Sequence, residues 1–367
     1  MGATPTPCDA TTLGDSLAGA TMRLADLDYE LPRELIAQQP AEPRDAARLL
    51  VVERSSGRLQ DRLVRDLPGL LRRGDLLVRN DTRVFPARAF FRRASGGRIE
   101  VLFLRPLEAA PVAAGAAGGE RWEALLRGRP RAGEELAGDG PAAAWRLVCE
   151  QPLGDGRWVV ASLGEEAVLG RLETFGQTPT PPYIRAPVAD HGRYQTTYAR
   201  RTGSAAAPTA GLHFTAELDA RLAAAGVDIV ALTLHVGLGT FKPLQEERLA
   251  DNRLHSEAYE VGEAVWRQIE GARAADRRVV AVGTTTVRVL EHLARGGPLR
   301  GETDLFITPG FAPRVVGALL TNFHLPRTSL LALVMAFAGV ETTRAAYRHA
   351  VRERYRFFSF GDAMLVV

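Results

Sequence analysis

The chain has 367 residues, 46% apolar and 24% charged, with a formal net charge of +3. That length allows two domains around a large core, and the composition is that of a globular protein rather than a disordered or fibrous one. The longest apolar run, Leu330 to Val340, is too short to span a bilayer. Residues 1–21 contain no Lys or Arg and so do not read as a secretory signal, while Cys8 and Cys149 give neither a disulfide framework nor a CxxC metal motif.

A cytoplasmic protein with no membrane segment and no metal is therefore expected. All basic residues except Lys242 are arginine, whose planar fork suits phosphate. The charge balance permits a nucleic-acid partner without requiring one.

In chain order, residues 1–22 form an N-terminal extension. Leu31 to Leu35 reads as a short helix start with Pro32 in its first turn. Arg48 to Val52 and Asp75 to Val78 read as buried strands, and Leu67 to Leu71 as a helical turn. Asn80-Asp81-Thr82-Arg83 has turn chemistry, because Asn and Asp bond back to their own backbone.

The texture changes after Pro86. Ile99 to Leu104, Trp122 to Leu126, Trp145 to Cys149 and Trp158 to Ser162 are short strands between Gly and Pro turns, which indicates a small β barrel or sandwich. An Ala/Gly-rich loop, Ala109 to Gly119, interrupts it.

Helix–strand alternation follows. Helices are expected at Ala216 to Ala225 (N-cap Thr215), Glu263 to Ala275, Thr285 to Ala294, Leu330 to Phe337 and Thr342 to Arg354. Strands are expected at Asp228 to His235 and Arg278 to Val282, the first apolar enough for a parallel sheet covered on both faces. The strand at 76–78 needs neighbours beyond residue 165. The expected fold class is thus α/β, a discontinuous α/β domain (23–86 and 166–367) with an inserted β module at 87–165.

Four blocks share one pattern, an apolar run followed by small or hydrogen-bonding residues: 208–214, 234–241, 282–288 and 321–326. Loops after buried strands are where α/β enzymes keep their chemistry. Gly283-Thr284-Thr285-Thr286 follows a strand and opens a helix, so its N–H groups suit an anion. Arg288 adds a bidentate grip, or is simply a surface arginine.

Gly237 and Gly239 let backbone approach a flat ligand. His213, His235, His255 and His324 each adjoin a turn, where a neutral imidazole can take a proton. A structural hydrogen-bonding role is the plainer reading for each of them alone. Glu257 orients a histidine, serves as the base, or is a solvated acid. Phe214, Phe241 and Phe323 adjoin the histidine turns and offer faces to a base or cation. Arg127 to Arg131, Arg200-Arg201 and Arg352 to Arg356 are basic clusters, either a solvated surface or a track for an RNA backbone.

The blocks together resemble the S-adenosylmethionine:tRNA ribosyltransferase-isomerase family. The resemblance rests on Asn80 to Val84, Arg193 to Thr196, the four blocks above, Leu254 to Glu257 and Tyr355 to Met364. It runs from about residue 23 to the C-terminus; residues 1–21 and the Ala/Gly-rich loop lie outside it. Leu254 and Phe360 depart from the usual methionine and tyrosine.

The resemblance implies an α/β domain with an inserted β barrel and no metal. It also implies no cofactor, S-adenosylmethionine being a co-substrate, with tRNA as partner and the chain a monomer. The ribosyl part of S-adenosylmethionine would be transferred and isomerised onto 7-aminomethyl-7-deazaguanine in a tRNA anticodon, releasing adenine and methionine. Asn80, Arg83, Tyr194, Gln195, Thr209, Gly211 and Asn322, in the matching stretches, become substrate-binding candidates beside Phe214, Gly237, Gly239, Phe241, Gly283, Thr284, Thr285 and Arg288.

The sulfonium acidifies the adjacent 5′ carbon, so a base is needed: His213 or His324, with His235 and Glu257 as alternatives. Arg288 and the Gly283–Thr285 helix start are expected to hold the methionine carboxylate. Two rivals remain, an RNA methyltransferase and a catalytically idle RNA-binding relative. Against the first, the Gly-rich motif and acidic ribose binder of that class are missing from the sequence.

Overall fold

Alternating apolar side chains along the strands build two cores, one on each face of a sheet. Leu50, Val52, Val279, Ala281 and Leu319 belong to one, and Leu49, Val51, Val280, Val282, Ala318 and Leu320 to the other. The structure, a computed structural model, describes residues 22–107, 119–179, 183–184, 191–237 and 244–367. The Ala/Gly-rich loop (apart from Gly119), residues 1–21, Gly239 and Phe241 lie outside those.

The sheet has nine strands, in the order Arg300–Thr303, Glu257–Glu260, Asp228–Leu234, Leu76–Asn80, Val279–Val282, Val316–Asn322, Ala363–Val366, Arg48–Val52 and Leu59–Leu63. The four from Asp228–Leu234 to Val316–Asn322 run parallel. Glu257–Glu260 and Ala363–Val366 flank them antiparallel, so the sheet is mixed rather than wholly parallel.

Helices Glu263–Ala274, Thr284–Leu293, Ser329–Ala338 and Val340–Arg352 pack on one face, and helix Ala216–Ala224 on the other. Thr215 caps the last of these, accepting from the Leu218 N–H. No single helix among the described residues is long and apolar enough to cross a membrane.

Six strands, from Arg88–Arg93 to Arg157–Leu163, close into a barrel. Closure leaves no open sheet edge. Trp145 stacks on Phe103 at 5.4 Å between ring centres, and Trp122 is buried beside them. Cys149 is buried in the same core, and burial pushes its thiol up to about 12, which makes it inert. In sequence the barrel falls between Leu76–Asn80 and Asp228–Leu234, which are neighbours in the large sheet.

One local expectation is corrected. Asn80 to Arg83 is not a simple turn: Thr82–Val84 forms a strand parallel to Arg201–Ser204. The Asn80 side chain ties this departure down, accepting from the Thr82 and Leu234 N–H groups and donating to the Leu234 carbonyl.

Candidate active site

The four parallel strands end side by side at Leu234, Asn80, Val282 and Asn322. Open α/β sheets bind ligands outside such carboxyl ends. The antiparallel strand Ala363–Val366 places its own approach, Phe358 to Asp362, at the same margin, because Ala363 pairs with Asn322. A pocket opens there. Its walls include Pro208, Thr209, Ala210, Val236, Gly283, Thr284, Thr285, Thr321 to Leu325, Thr328, Phe358, Ser359 and Tyr183. Its volume, about 50 Å³, holds a few waters.

The histidines separate by environment. His324 lines the pocket, with Nε2 2.9 Å from Thr321 Oγ1. Its backbone is pinned on both sides: Tyr29 Oη donates to its carbonyl, and its N–H donates to Tyr347 Oη at 3.0 Å. Burial pushes its pKa down to about 3. His213 stands one residue behind the wall. Asn322 Nδ2 donates to its Nε2 at 3.3 Å and to the Phe358 carbonyl at 3.1 Å, so the histidine aligns a pocket residue. Burial takes His213 down to about 4, opposed in part by the Asp362 carboxylate.

His235 follows the last residue of its strand and turns away from Val236, which faces the pocket. Its Nδ1 meets Thr82 Oγ1 at 2.9 Å, and burial lowers its pKa. The ring lies so close to Gly203 that a Cβ there would come within 2.6 Å of it. His255 is exposed and lines a separate small cavity beside Arg288.

Both buried histidines are neutral at neutral pH, and that has a cost in acid. Unfolded imidazoles take protons near pH 6.5. Between there and about pH 4 the unfolded chain binds protons that the folded chain refuses, so stability falls as pH drops. For His213 alone the shift corresponds to roughly 3 kcal/mol. Thermal melts from pH 7 to 4 should show Tm falling steadily, and falling less in His213→Gln. Identical slopes in the two proteins would remove His213 as a cause.

The other predicted site residues divide. Thr209, Gly283, Thr284, Thr285, Asn322 and His324 line the pocket. Arg288 does not, and the expected free carboxylate grip is corrected: it is buried in an ion pair with Glu257. It also donates to the carbonyls of Leu305 and Thr303, at 3.0 Å each. Glu257 in turn accepts from the Gly237 N–H at 2.8 Å, which makes it an anchor for the loop that follows that strand.

Phe214 is fully buried against Tyr198 in the core, not in the pocket. Phe323 touches the pocket but packs among Tyr347, Tyr355 and Phe357. Tyr194 is buried against Phe360. Gln195 exchanges hydrogen bonds with the backbone of Val84, and Gly211 leaves room for the Tyr198 hydroxyl, which a Cβ would meet at 2.1 Å. Arg83 is exposed.

Sequence reasoning missed Tyr183, whose hydroxyl lies 2.6 Å from Ser359 Oγ, and Thr328, the N-cap of helix Ser329–Ala338. The N-cap position of Thr328 ahead of an apolar run was a readable signal; Tyr183 offered none. Among the described residues no group of three or more His, Cys, Asp or Glu is arranged to hold a metal ion.

The chain matches the family described as Queuosine biosynthesis protein over residues 24–366. It is 53% identical to the S-adenosylmethionine:tRNA ribosyltransferase-isomerase of Rubrobacter xylanophilus, over 94% of this chain and 98% of that protein. The protein of the same name from Symbiobacterium thermophilum is 50% identical over 94% of this chain and all of its own length. The crystal structure of S-adenosylmethionine tRNA ribosyltransferase from Thermotoga maritima superposes with a TM-score of 0.52 at 38% identity, covering 93% of this chain and 100% of that one.

Proposed function

The chain belongs to the queuosine biosynthesis protein family, and we propose that it acts as an S-adenosylmethionine:tRNA ribosyltransferase-isomerase. The ribosyl part of S-adenosylmethionine is transferred and isomerised onto 7-aminomethyl-7-deazaguanine in a tRNA anticodon, and adenine and methionine leave. The observation that carries this reading is full-length identity of about half to relatives bearing that name. The convergence of all four sequence blocks on one pocket at the strand ends supports it.

In this reading His324, which lines the pocket, takes the proton from the 5′ carbon. In the tautomer that donates from Nε2 to Thr321 Oγ1, Nδ1 carries the lone pair. Loss of adenine follows, the substrate amine attacks, and a ring oxygen displaces methionine.

Product analysis tests the function. Incubation with S-adenosylmethionine and tRNA bearing the aminomethyl base should release adenine and methionine in equal amounts. S-adenosylhomocysteine would instead establish a methyltransferase, and binding without any product an idle relative.

The tRNA surface can be narrowed. Arg201, Arg352 and Arg356 are engaged with Glu260, Glu353 and Asp362. Arg83, Arg200, Arg129 and Arg131 are exposed, and their guanidinium groups have no carboxylate partner among the described residues. Arg83 and Arg200 lie at the strand pair 82–84 and 201–204, which Ser204 ties to Val236 in the pocket wall. Affinity for tRNA should fall with salt. Arg83→Ala with Arg200→Ala should lower the slope of log K against log salt by roughly one for each phosphate left without its arginine. An unchanged slope in filter binding would place the RNA elsewhere.

A further inference from the structure

We propose that the pocket contains a dedicated seat for an α-amino-acid zwitterion: Asn322 Oδ1 accepts from the α-ammonium, and the uncapped helix start at Thr284 to Thr286 receives the α-carboxylate. The seat takes the methionine end of S-adenosylmethionine, and in that it rests on the functional reading above.

Two independent features point to it. Helix Thr284–Leu293 begins after Gly283, at φ 88°, and no side chain caps it. Its first-turn N–H groups have no acceptor inside the helix, and the helix dipole favours an anion at that end. A helix start alone would not identify a ligand.

The second feature is Asn322, which is 2% exposed. Its Nδ2 donates to the Phe358 carbonyl and to His213 Nε2. A carbonyl can only accept, so the amide cannot be flipped, and its Oδ1 is left buried with no partner among the described residues. A bare amide oxygen in a protein interior is costly and calls for a donor.

Thr284, Thr285 and Asn322 line one pocket, and the strand register sets the two chain segments side by side. Val282 pairs with Leu320 on adjacent parallel strands, and the Gly283 N–H donates to the Leu320 carbonyl at 2.8 Å. That rung joins strands about 4.8 Å apart; Asn322 ends its strand two residues past it, and Thr284 opens the helix two residues past it. Arg288, the guanidinium nearest in sequence, is occupied by Glu257, so the carboxylate is left to backbone donors and to the hydroxyls of Thr284 and Thr285.

The test is competition for labelled S-adenosylmethionine on the full chain, with tRNA lacking the acceptor amine so that no turnover occurs. The competitors are decarboxylated S-adenosylmethionine, its deamino analogue and an analogue altered at the adenine amino group. On the unaltered protein, removing either charged group should weaken binding roughly ten- to hundred-fold. In Asn322→Ala the penalty for the missing ammonium should vanish, while the penalty for the missing carboxylate stays.

Equal binding of S-adenosylmethionine and both truncated analogues would overturn the seat and leave the function standing. If S-adenosylmethionine itself fails to bind, the functional reading falls. If the adenine analogue, rather than the deamino one, loses its penalty in Asn322→Ala, then Asn322 reads the base and the assignment is wrong. The ligand series on the unaltered protein stands even if Asn322→Ala does not fold.

Discussion

Arg288→Ala will destabilise the folded chain by about 3–5 kcal/mol, the usual result of removing one partner of a buried ion pair. Arg288 and Glu257 are 4% and 3% exposed at their side chains. Alanine would leave the Glu257 carboxylate buried without its cation, and would also strip donors from the carbonyls of Thr303 and Leu305. Because Glu257 holds the Gly237 N–H, turnover should fall along with stability. Glu257→Gln keeps an acceptor for that N–H and should cost less. Replacing both partners with leucine and methionine should recover much of the loss, since an apolar pair leaves no orphaned charge. Urea denaturation measures all three. Should Arg288→Ala keep wild-type stability and show only a raised KM for S-adenosylmethionine, the guanidinium is a substrate contact after all and the zwitterion seat has a different donor.

How far the sequence could be read depended on where burial leaves a pattern. Arg48–Val52, Val279–Val282 and the barrel strand Glu120–Arg127 are legible because packing demands apolar runs or alternation there. Leu59–Leu63 was not, since most of it is exposed at the sheet's margin and nothing selects apolar residues. Glu257–Glu260 and Arg300–Thr303 are short strands that pair with each other, and their polar composition hides them; with them went the antiparallel half of the sheet. In the site, Thr285 and Asn322 were legible as hydrogen-bonding residues that follow apolar runs. The pairing of Arg288 with Glu257, 31 positions apart, was not, because it depends on a strand that the pattern does not announce. Ser359 reaches the pocket only because Ala363–Val366 pairs beside Val316–Asn322, a long-range contact without a local signature. Phe214 shows the reverse error: adjacency to His213 in the chain suggested the site, while the exit from the short helix Thr209–His213 sends it into the core.

His324→Ala will lower kcat by about 10²–10⁴-fold, the usual contribution of a general base, with a much smaller change in KM. The expectation rests on position: among His213, His235, His255 and His324, only the last lines the pocket. His213→Ala should behave differently, since that ring aligns Asn322; binding of S-adenosylmethionine and stability should suffer together. His235 faces Thr82 and Gly203, so His235→Ala should leave kcat within a few-fold of wild type. Steady-state adenine release separates the three. The pH–rate profile supplies an independent check. Burial holds His324 at about 3, so it stays neutral and ready to accept a proton from pH 8 down past pH 5, and the profile should show no acid limb near 6.5 from this group. An acid limb near 6.5 that survives in His324→Ala would move the base to another residue, while one that disappears with the mutation would mean that substrate binding raises the imidazole's proton affinity by hydrogen bonding to its charged form.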